Sequence, residues 1–440
     1  MKKYLLYILL AASVGVSSCD KGLDDNVFDE SPDARLNKTL TELQNQLVDA
    51  PYGWTATLYT ADSVPYTFYF KFDQNNRVTM YSDINATTAF TGKESSYRLK
   101  SLQQPSLIFD TYSYIHLLAD PDPTANNGTP GEGLHSDFEY FYDPTTAQAD
   151  TIKLTGRFYG SHLTLVRAPQ AIAADIQANG LRGVLFSNIS RYLNYFKRIT
   201  IDGKEYEISV DAQNKTLTLA WLNDNDEYEY FTTSYHFSAG QNGSVIFDEP
   251  FVNGNISVNS FDDMQWDEGS STLSFAVNGA NTSVVGLGQP LKVDVEAPLR
   301  WWLYSYDEDD YWISRRGFHV NGVDDGFNMR NIANIYSGHY MLYWAGYNAA
   351  YDASPGVRLV NGALSIYGPA VAPSLTPDGR MVFNYVGHFG GTLDAVSTGI
   401  ITNVRTQLTQ AAGYYFVQTG ATRYDMVSAL DGKAWITWEW

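Results

Sequence analysis

A single cysteine, Cys19, in a chain of 440 residues excludes any intrachain disulfide and the stapled folds that depend on one. Basic residues are scarce too: 29 Lys and Arg stand against 49 Asp and Glu, for a formal net charge of −20. That balance opposes phosphate backbones and anionic lipid surfaces, so no nucleic-acid partner is expected. The seven histidines (His116, His135, His162, His236, His319, His339 and His388) include no pair three or four residues apart, the spacing by which a helix holds zinc. There is no glycine-rich phosphate loop ahead of a helix and no Gly-x-Ser-x-Gly elbow. No metal, cofactor or catalytic motif is therefore expected. The apolar run Leu5 to Val16 is about a dozen residues, where a membrane-spanning helix needs about twenty.

That run instead fits a secretion signal. Met1-Lys2-Lys3-Tyr4 supplies the positive start, and Val16-Ser17-Ser18-Cys19 places small residues ahead of a cysteine whose thiol can accept diacylglycerol. Residues 1–18 are expected to be cleaved and Cys19 to become the lipidated, palmitate-bearing first residue. The competing reading is an ordinary secreted protein with a coincidental cysteine. Lipidation takes the only thiol and so removes cysteine catalysis, and several acyl chains on one residue anchor far better than one. Residues 19–31, with Asp20, Asp24, Asp25, Asp29 and Glu30, read as an acidic solvated tether.

The composition, 15% aromatic with 32 tyrosines and only 18% charged, favours strands. One early helix is predicted from about Pro32 to Asp49: Ser31 can cap it, Pro32 suits its first turn, and Leu36, Leu40, Leu43 and Leu47 form one apolar face. A hairpin comes next, from Tyr66 to Phe72 and from Arg77 to Tyr81 across Asp73-Gln74-Asn75-Asn76. The pattern returns 138 residues later: Asp73 matches Asp211, the Ser-Tyr pair ending at Tyr97 matches that ending at Tyr235, and Ser106 to Asp110 matches Ser244 to Asp248. Landmarks at one constant offset indicate duplication. The expected fold class is mainly β: two tandem homologous antiparallel β units with a short N-terminal helix, plus a β-rich C-terminal region. The regions are 32–168, 169–293 and 294–440. The segment Asp120 to Gly133, rich in Pro and Gly, is expected to be an exposed loop.

A lipobox, an acidic spacer, a helix with Arg35 and a leucine face, Gly53-Trp54, Phe109-Asp110, Ser136-Asp137-Phe138-Glu139 and Leu154-Thr155-Gly156 together resemble the Bacteroidetes lipoprotein family catalogued as domain of unknown function 4302. The resemblance covers at least residues 19–170. It implies a lipoprotein of the outer membrane, exposed at the cell surface and acting beside nutrient-uptake complexes, with no assigned chemistry and no catalytic residues to carry over.

Two acidic stretches, Asp307-Glu308-Asp309-Asp310 and Asn223-Asp224-Asn225-Asp226-Glu227, lack the glycine and distal glutamate of a calcium loop and read as solvated turns. Aromatic clustering marks the possible ligand surface: Trp301, Trp302, Tyr304 and Tyr306, followed by Tyr311 and Trp312. Such rings stack on sugar faces. Strand alternation would put Trp302, Tyr304 and Tyr306 on one face, and packing of half these rings into a core competes with the ligand reading. Two functions are thus expected to compete. One is a non-catalytic surface lipoprotein, held to the membrane through Cys19, that binds a glycan or peptide nutrient or docks on an outer-membrane transporter complex. The other is a hydrolase with an acidic site between β domains; a structural or adhesive role is a third reading.

Overall fold

The computed structural model describes residues 31–440 apart from 102, 103, 213 and 241. The expected signal, Cys19 and the tether up to residue 30 lie outside the described residues. The chain divides into two compact units, one made of residues up to 84 with 91–174, the other of 85–90 with 175–440.

In the first unit the helix Pro32–Val48 forms as its capping predicts, with the Ser31 hydroxyl accepting the Ala34 N–H at 3.2 Å. Leu43 and Leu47 on its apolar face are buried. Eight antiparallel strands succeed it in chain order: β1 (Trp54–Tyr59), β2 (Pro65–Phe72), β3 (Arg77–Ser82), β4 (Lys93–Ser101), β5 (Pro105–Phe109), β6 (Glu139–Tyr142), β7 (Thr151–Gly156) and β8 (His162–Arg167). β8 returns to β1, closing a barrel and removing both sheet edges. Its core is filled by Trp54, Phe68, Phe70, Phe72, Tyr97, Phe109 and Tyr140, together with the helix leucines. The indole of Trp54 ties the barrel to the helix by donating to the Leu47 carbonyl at 3.0 Å.

The second unit begins its sheet with another meander: β9 (Phe196–Ile201), β10 (Lys204–Asp211), β11 (Thr216–Leu222), β12 (Tyr228–Ser238), β13 (Ser244–Asn253), β14 (Ile256–Asp267), β15 (Thr272–Val277) and β16 (Ala280–Ser283). Its pairings reproduce the duplication read from sequence. Tyr97 lies opposite Phe109 across β4 and β5, and Tyr235 lies opposite Phe247 across β12 and β13. Arg98 pairs with Asp110, and at the same places His236 meets Asp248 at 3.0 Å. Each tyrosine N–H bonds the carbonyl of a left-handed turn residue, Asn76 (φ 59°) at 2.9 Å and Lys215 (φ 49°) at 2.8 Å. The copies differ in closure. β17 (Val285–Leu287) pairs with β9 on the edge that, in the first copy, is taken by the last strand. A 3-10 helix, Arg182–Arg191, supplies Phe186 to this sheet's core, where it meets Tyr235, Phe261 and Phe275 with centroids 5.3, 5.9 and 6.3 Å away.

The third sheet comprises β18 (Trp312–Ser314), β19 (Phe318–Val320), β20 (Met341–Asn348), β21 (Tyr351–Ala353), β22 (Gly356–Val360), β23 (Ala363–Leu375), β24 (Met381–Phe389), β25 (Tyr414–Gly420), β26 (Arg423–Ser428) and β27 (Ala434–Glu439). β27 meets β18 through the pair Ile313 and Glu439, so this sheet also curls round on itself. A helix, Ala297–Glu308, precedes it, and the β18 indole of Trp312 donates to the Trp301 carbonyl of that helix at 2.9 Å. This repeats the link between Trp54 and Leu47 in the first barrel. A second helix, Ala395–Leu408, packs Val404 and Leu408 into the same core. No helix among the described residues is long and apolar enough to cross a membrane.

Candidate functional site

The six aromatic residues Trp301, Trp302, Tyr304, Tyr306, Tyr311 and Trp312 do not form one surface. Residues 301–306 are helical and not a strand, because Ala297, Trp301 and Ser305 recur every four residues on the buried face and Pro298 sits at the start. Trp301 and Trp312 are fully buried, with Trp301 packed against Trp312, Tyr343, Phe416 and Trp438. Trp302 stacks on Tyr306 at 4.8 Å, one helical turn apart, and its indole donates to the buried Asp352 carboxylate at 2.7 Å. Tyr304 meets Trp440 edge-on at 4.6 Å, while Tyr311 lies 5.4 Å from Trp344. The acidic stretch Asp307 to Asp310 closes this helix, with Asp309 in the left-handed cap position, whereas Asn223 to Glu227 forms the predicted hairpin turn.

A cavity of about 890 Å3 lies elsewhere in the second unit, between one face of β10 to β12 and the strands β25 and β27. Its size falls within the range of small-molecule sites. Register builds its floor: Glu207, Ala220 and Tyr230 form one cross-strand row, and Ser209 with Thr218 the next. Period-two alternation sends the adjacent Tyr206 and Leu219 to the buried side of the sheet. Tyr228 and Tyr230, two residues apart and so on one face, stack with centroids at 5.8 Å and planes within 20°. Tyr230 is 67% exposed, which leaves its ring open to solvent. Tyr415, Val417, Gln418 and Thr419 of β25 and Trp435 of β27 line the opposite side.

Polar groups are fixed among these rings. The Tyr195 hydroxyl donates to Asp425 Oδ2 at 2.7 Å, and its ring stands edge-on to Trp435 at 5.4 Å. The Tyr228 hydroxyl accepts the Lys292 N–H at 3.0 Å. Burial raises the Glu207 carboxyl above the ordinary range, opposed by the Leu291 N–H that it accepts and by Arg198 at 4.0 Å. Burial, reinforced by the charge on Glu207, pushes Tyr228 up to about 12. Burial lowers the Lys197 ammonium, and among the described residues no carboxylate pairs with it. The other lining carboxylate, Asp294, is committed: it accepts from Arg300 at 2.6 and 3.1 Å and from the N–H groups of Glu296 and Ala297. The cavity therefore offers aromatic faces, hydroxyls, an amide and, in Glu207, a carboxyl held by one backbone N–H and by no close ion pair, the donors and acceptors that a polyhydroxylated ring requires.

None of the six sequence candidates lines this cavity. The sequence signal that could have found it is the pair Tyr228 and Tyr230, alternating with the exposed Glu229 on a strand. Among the described residues no group of three or more His, Cys, Asp or Glu converges as a metal site. In the first unit the cavities lie over barrel strands, one of about 430 Å3 beside Arg98, Tyr112, His116 and Phe138 and one of about 550 Å3 beside Lys153 and Thr155. The barrel core itself is packed with rings.

Comparison with solved structures returns the C-terminal region of FEN-1 bound to A. fulgidus PCNA, at 9% identity over 59% of this chain and 93% of that chain, TM-score 0.13. It also returns the DNA polymerase III subunit beta sliding clamp of Bartonella birtlesii, at 9% identity over 92% and 97%, TM-score 0.14. The C. crescentus beta sliding clamp has 10% identity over 92% and 96%, TM-score 0.15. Scores this low carry no argument about fold or function. No curated protein matches the chain. A family model described as Domain of unknown function (DUF4302) matches residues 24–268, more than half of the chain, and the protein belongs to that family.

Proposed function

We propose that this protein is a non-catalytic lipoprotein of the outer membrane, exposed at the cell surface and anchored at Cys19, that binds an oligosaccharide in the cavity between β10 to β12 and β25. The observation that carries this reading is the stacked pair Tyr228 and Tyr230, with Tyr230 67% exposed beside the half-buried Glu207. Exposed, rigid ring faces beside hydrogen-bonding groups favour a sugar over a purely apolar ligand. Glycoside hydrolysis asks for two carboxyl groups across the substrate. Of the two lining this cavity, Asp294 is held by Arg300 and by the backbone at the start of a helix, which favours binding over hydrolysis. An acidic tether and a lipid anchor suit a protein that presents such a cavity to the medium, beside a nutrient-uptake complex.

The test is calorimetric titration of the purified full-length protein with a panel of oligosaccharides, together with Tyr230→Ala and, as a control outside the cavity, Tyr304→Ala. Loss of one stacking ring should weaken a bound sugar by roughly tenfold in the Tyr230→Ala protein. The Tyr304→Ala protein should bind as the parent does. No binding across the panel, or a loss confined to Tyr304→Ala, overturns the reading.

A further inference from the structure

Trp435 lines the large cavity of the second unit and also a smaller cleft of about 320 Å3, formed by Ser314 to Gly317, His319, Asp324, Arg423, Thr437 and Glu439. The cleft is built by register. β27 lies between β26 and β19, so Arg423 falls opposite Glu439 and His319 opposite Trp435. The His319 ring stacks on Trp435 with centroids 3.8 Å apart, which fixes the indole as a rigid wall between the two spaces.

The charges in this cleft run against those of the chain as a whole. In a protein of net charge −20, three guanidinium groups here face two carboxylates. Glu439 is shared, with Arg315 Nε at 2.9 Å and Arg423 Nε at 3.9 Å. Asp324 takes His319 Nδ1 at 2.7 Å and lies 3.9 Å from Arg316, whose side chain is 83% exposed. Arg315 Nη1 also donates to the Gly338 carbonyl at 3.0 Å, yet that carbonyl and one carboxylate together cannot satisfy two guanidinium forks, each of which carries five N–H groups. The spare donors suit a planar or tetrahedral oxyanion, which such forks bind in bidentate fashion. A polyanion would be repelled by the rest of the surface, so the fitting ligand carries its negative charge sparsely.

We infer that Arg315, Arg316 and Arg423 form a subsite for the carboxylate or sulfate substituent of an acidic oligosaccharide, whose neutral rings lie past Trp435 against Tyr228 and Tyr230. This rests on the proposed saccharide function and names its ligand class. The guanidinium groups bind the charged substituent, and the shared indole sets its distance from the stacking pair.

The experiment titrates the full-length protein with matched neutral, uronate-bearing and sulfated oligosaccharides, and repeats it with Arg423→Gln and Arg316→Gln. Melting curves confirm that each variant folds. Acidic ligands should bind the parent roughly tenfold more tightly than neutral ones, and the variants should lose that margin while keeping neutral binding. Whether the uronate or the sulfated arm gains more identifies the oxyanion. Equal affinity for neutral and acidic sugars in the parent overturns this inference and leaves the saccharide reading standing. No affinity for any sugar overturns both. Inorganic sulfate competing as well as the sulfated sugar, or an acidic peptide competing better, also overturns it, since the subsite would then not be reading a saccharide.

Discussion

Asp137 and Gly156 show how the family-like motifs of the first unit act at the scale of single residues. Asp137 is 4% exposed, and its carboxylate accepts the N–H groups of Phe158, Tyr159 and Ser161 at 2.6, 3.0 and 3.1 Å and the Ser161 hydroxyl at 2.7 Å. A buried charge is tolerable only with such a cage around it. Gly156 faces the cage, and a Cβ there would stand 1.9 Å from Asp137 Oδ2. Gly156→Ala is expected to destabilise the first unit by about 2 to 4 kcal/mol, through displacement of a hydrogen-bonded buried carboxylate. A melting temperature within a degree or two of the parent would refute that account. Asp137 of the first motif and Gly156 of the second thus act as one structural device.

Glu207 carries a second residue-scale prediction. Its ordinary value is near 4.5, and burial raises it in the folded state, so the native protein keeps this proton after the unfolded chain has lost it. The group's contribution to stability is therefore full at acid pH, falls as pH rises from the unfolded value through the raised folded value, and then levels off. Glu207→Gln removes this dependence. Its stability relative to the parent should rise across that interval and stay constant above it. Chemical denaturation at several pH values measures it, and a difference that is flat throughout would contradict the assigned environment.

At the scale of elements, the helix Ala297–Glu308 and the helix Pro32–Val48 explain what the sequence could and could not disclose. Pro32–Val48 is legible because capping, a proline at the start and four leucines at one period agree, and no other period fits them. In Ala297–Glu308 the rings of Trp302, Tyr304 and Tyr306 satisfy a period of two, Trp302 and Tyr306 also satisfy one of four, and aromatic richness tips the reading toward a strand. The burial of Ala297, Trp301 and Ser305, with Trp302 stacked on Tyr306, resolves the ambiguity. Truncation separates the two faces. Trp301→Ala should cost about 3 to 5 kcal/mol, the usual loss for a fully buried large ring. Tyr306→Ala, at a half-exposed position, should cost less than about 1 kcal/mol. Similar losses at both positions would be incompatible with the helical arrangement.

The duplication was legible for a different reason: it is written in turn chemistry. Asp73 accepts the N–H groups of Asn75 and Arg77 at 2.8 and 2.9 Å, and Asp211 accepts that of Asn214 at 3.0 Å, so each hairpin needs an aspartate at its corner. The second turn is one residue longer, with Phe72 opposite Val78 in one copy and Val210 opposite Leu217 in the other, and the common offset returns in the next hairpin, where Tyr97 faces Phe109 and Tyr235 faces Phe247. The candidate cavity was not legible, because Tyr228 and Tyr230 become a site only where β25 and Trp435, far along the chain, pack opposite them. A strand's sequence specifies which residues share a face, and tertiary packing decides which face stays open.

At the scale of the whole molecule, a closed barrel and two further sheets are strung on one chain, and the Trp54 link to Leu47 recurs as the Trp312 link to Trp301. The opening strands of the first and third sheets are thereby fastened to the helices before them. The proposed anchor at Cys19 precedes all three and is joined to them by a stretch rich in acids. With a net charge of −20 the protein has little electrostatic reason to stay at an anionic membrane once lipid is removed. Attachment should therefore depend almost wholly on acyl chains, which need more than one chain to hold firmly. Cys19→Ser should abolish incorporation of labelled palmitate and move the protein from the membrane to the soluble fraction, while the melting curve stays that of the parent. Protease applied to intact cells should remove the parent protein if the tether carries it to the outer face. A Cys19→Ser protein that still fractionates with membranes would mean that the folded sheets themselves make the attachment, and the lipoprotein reading would fall with it.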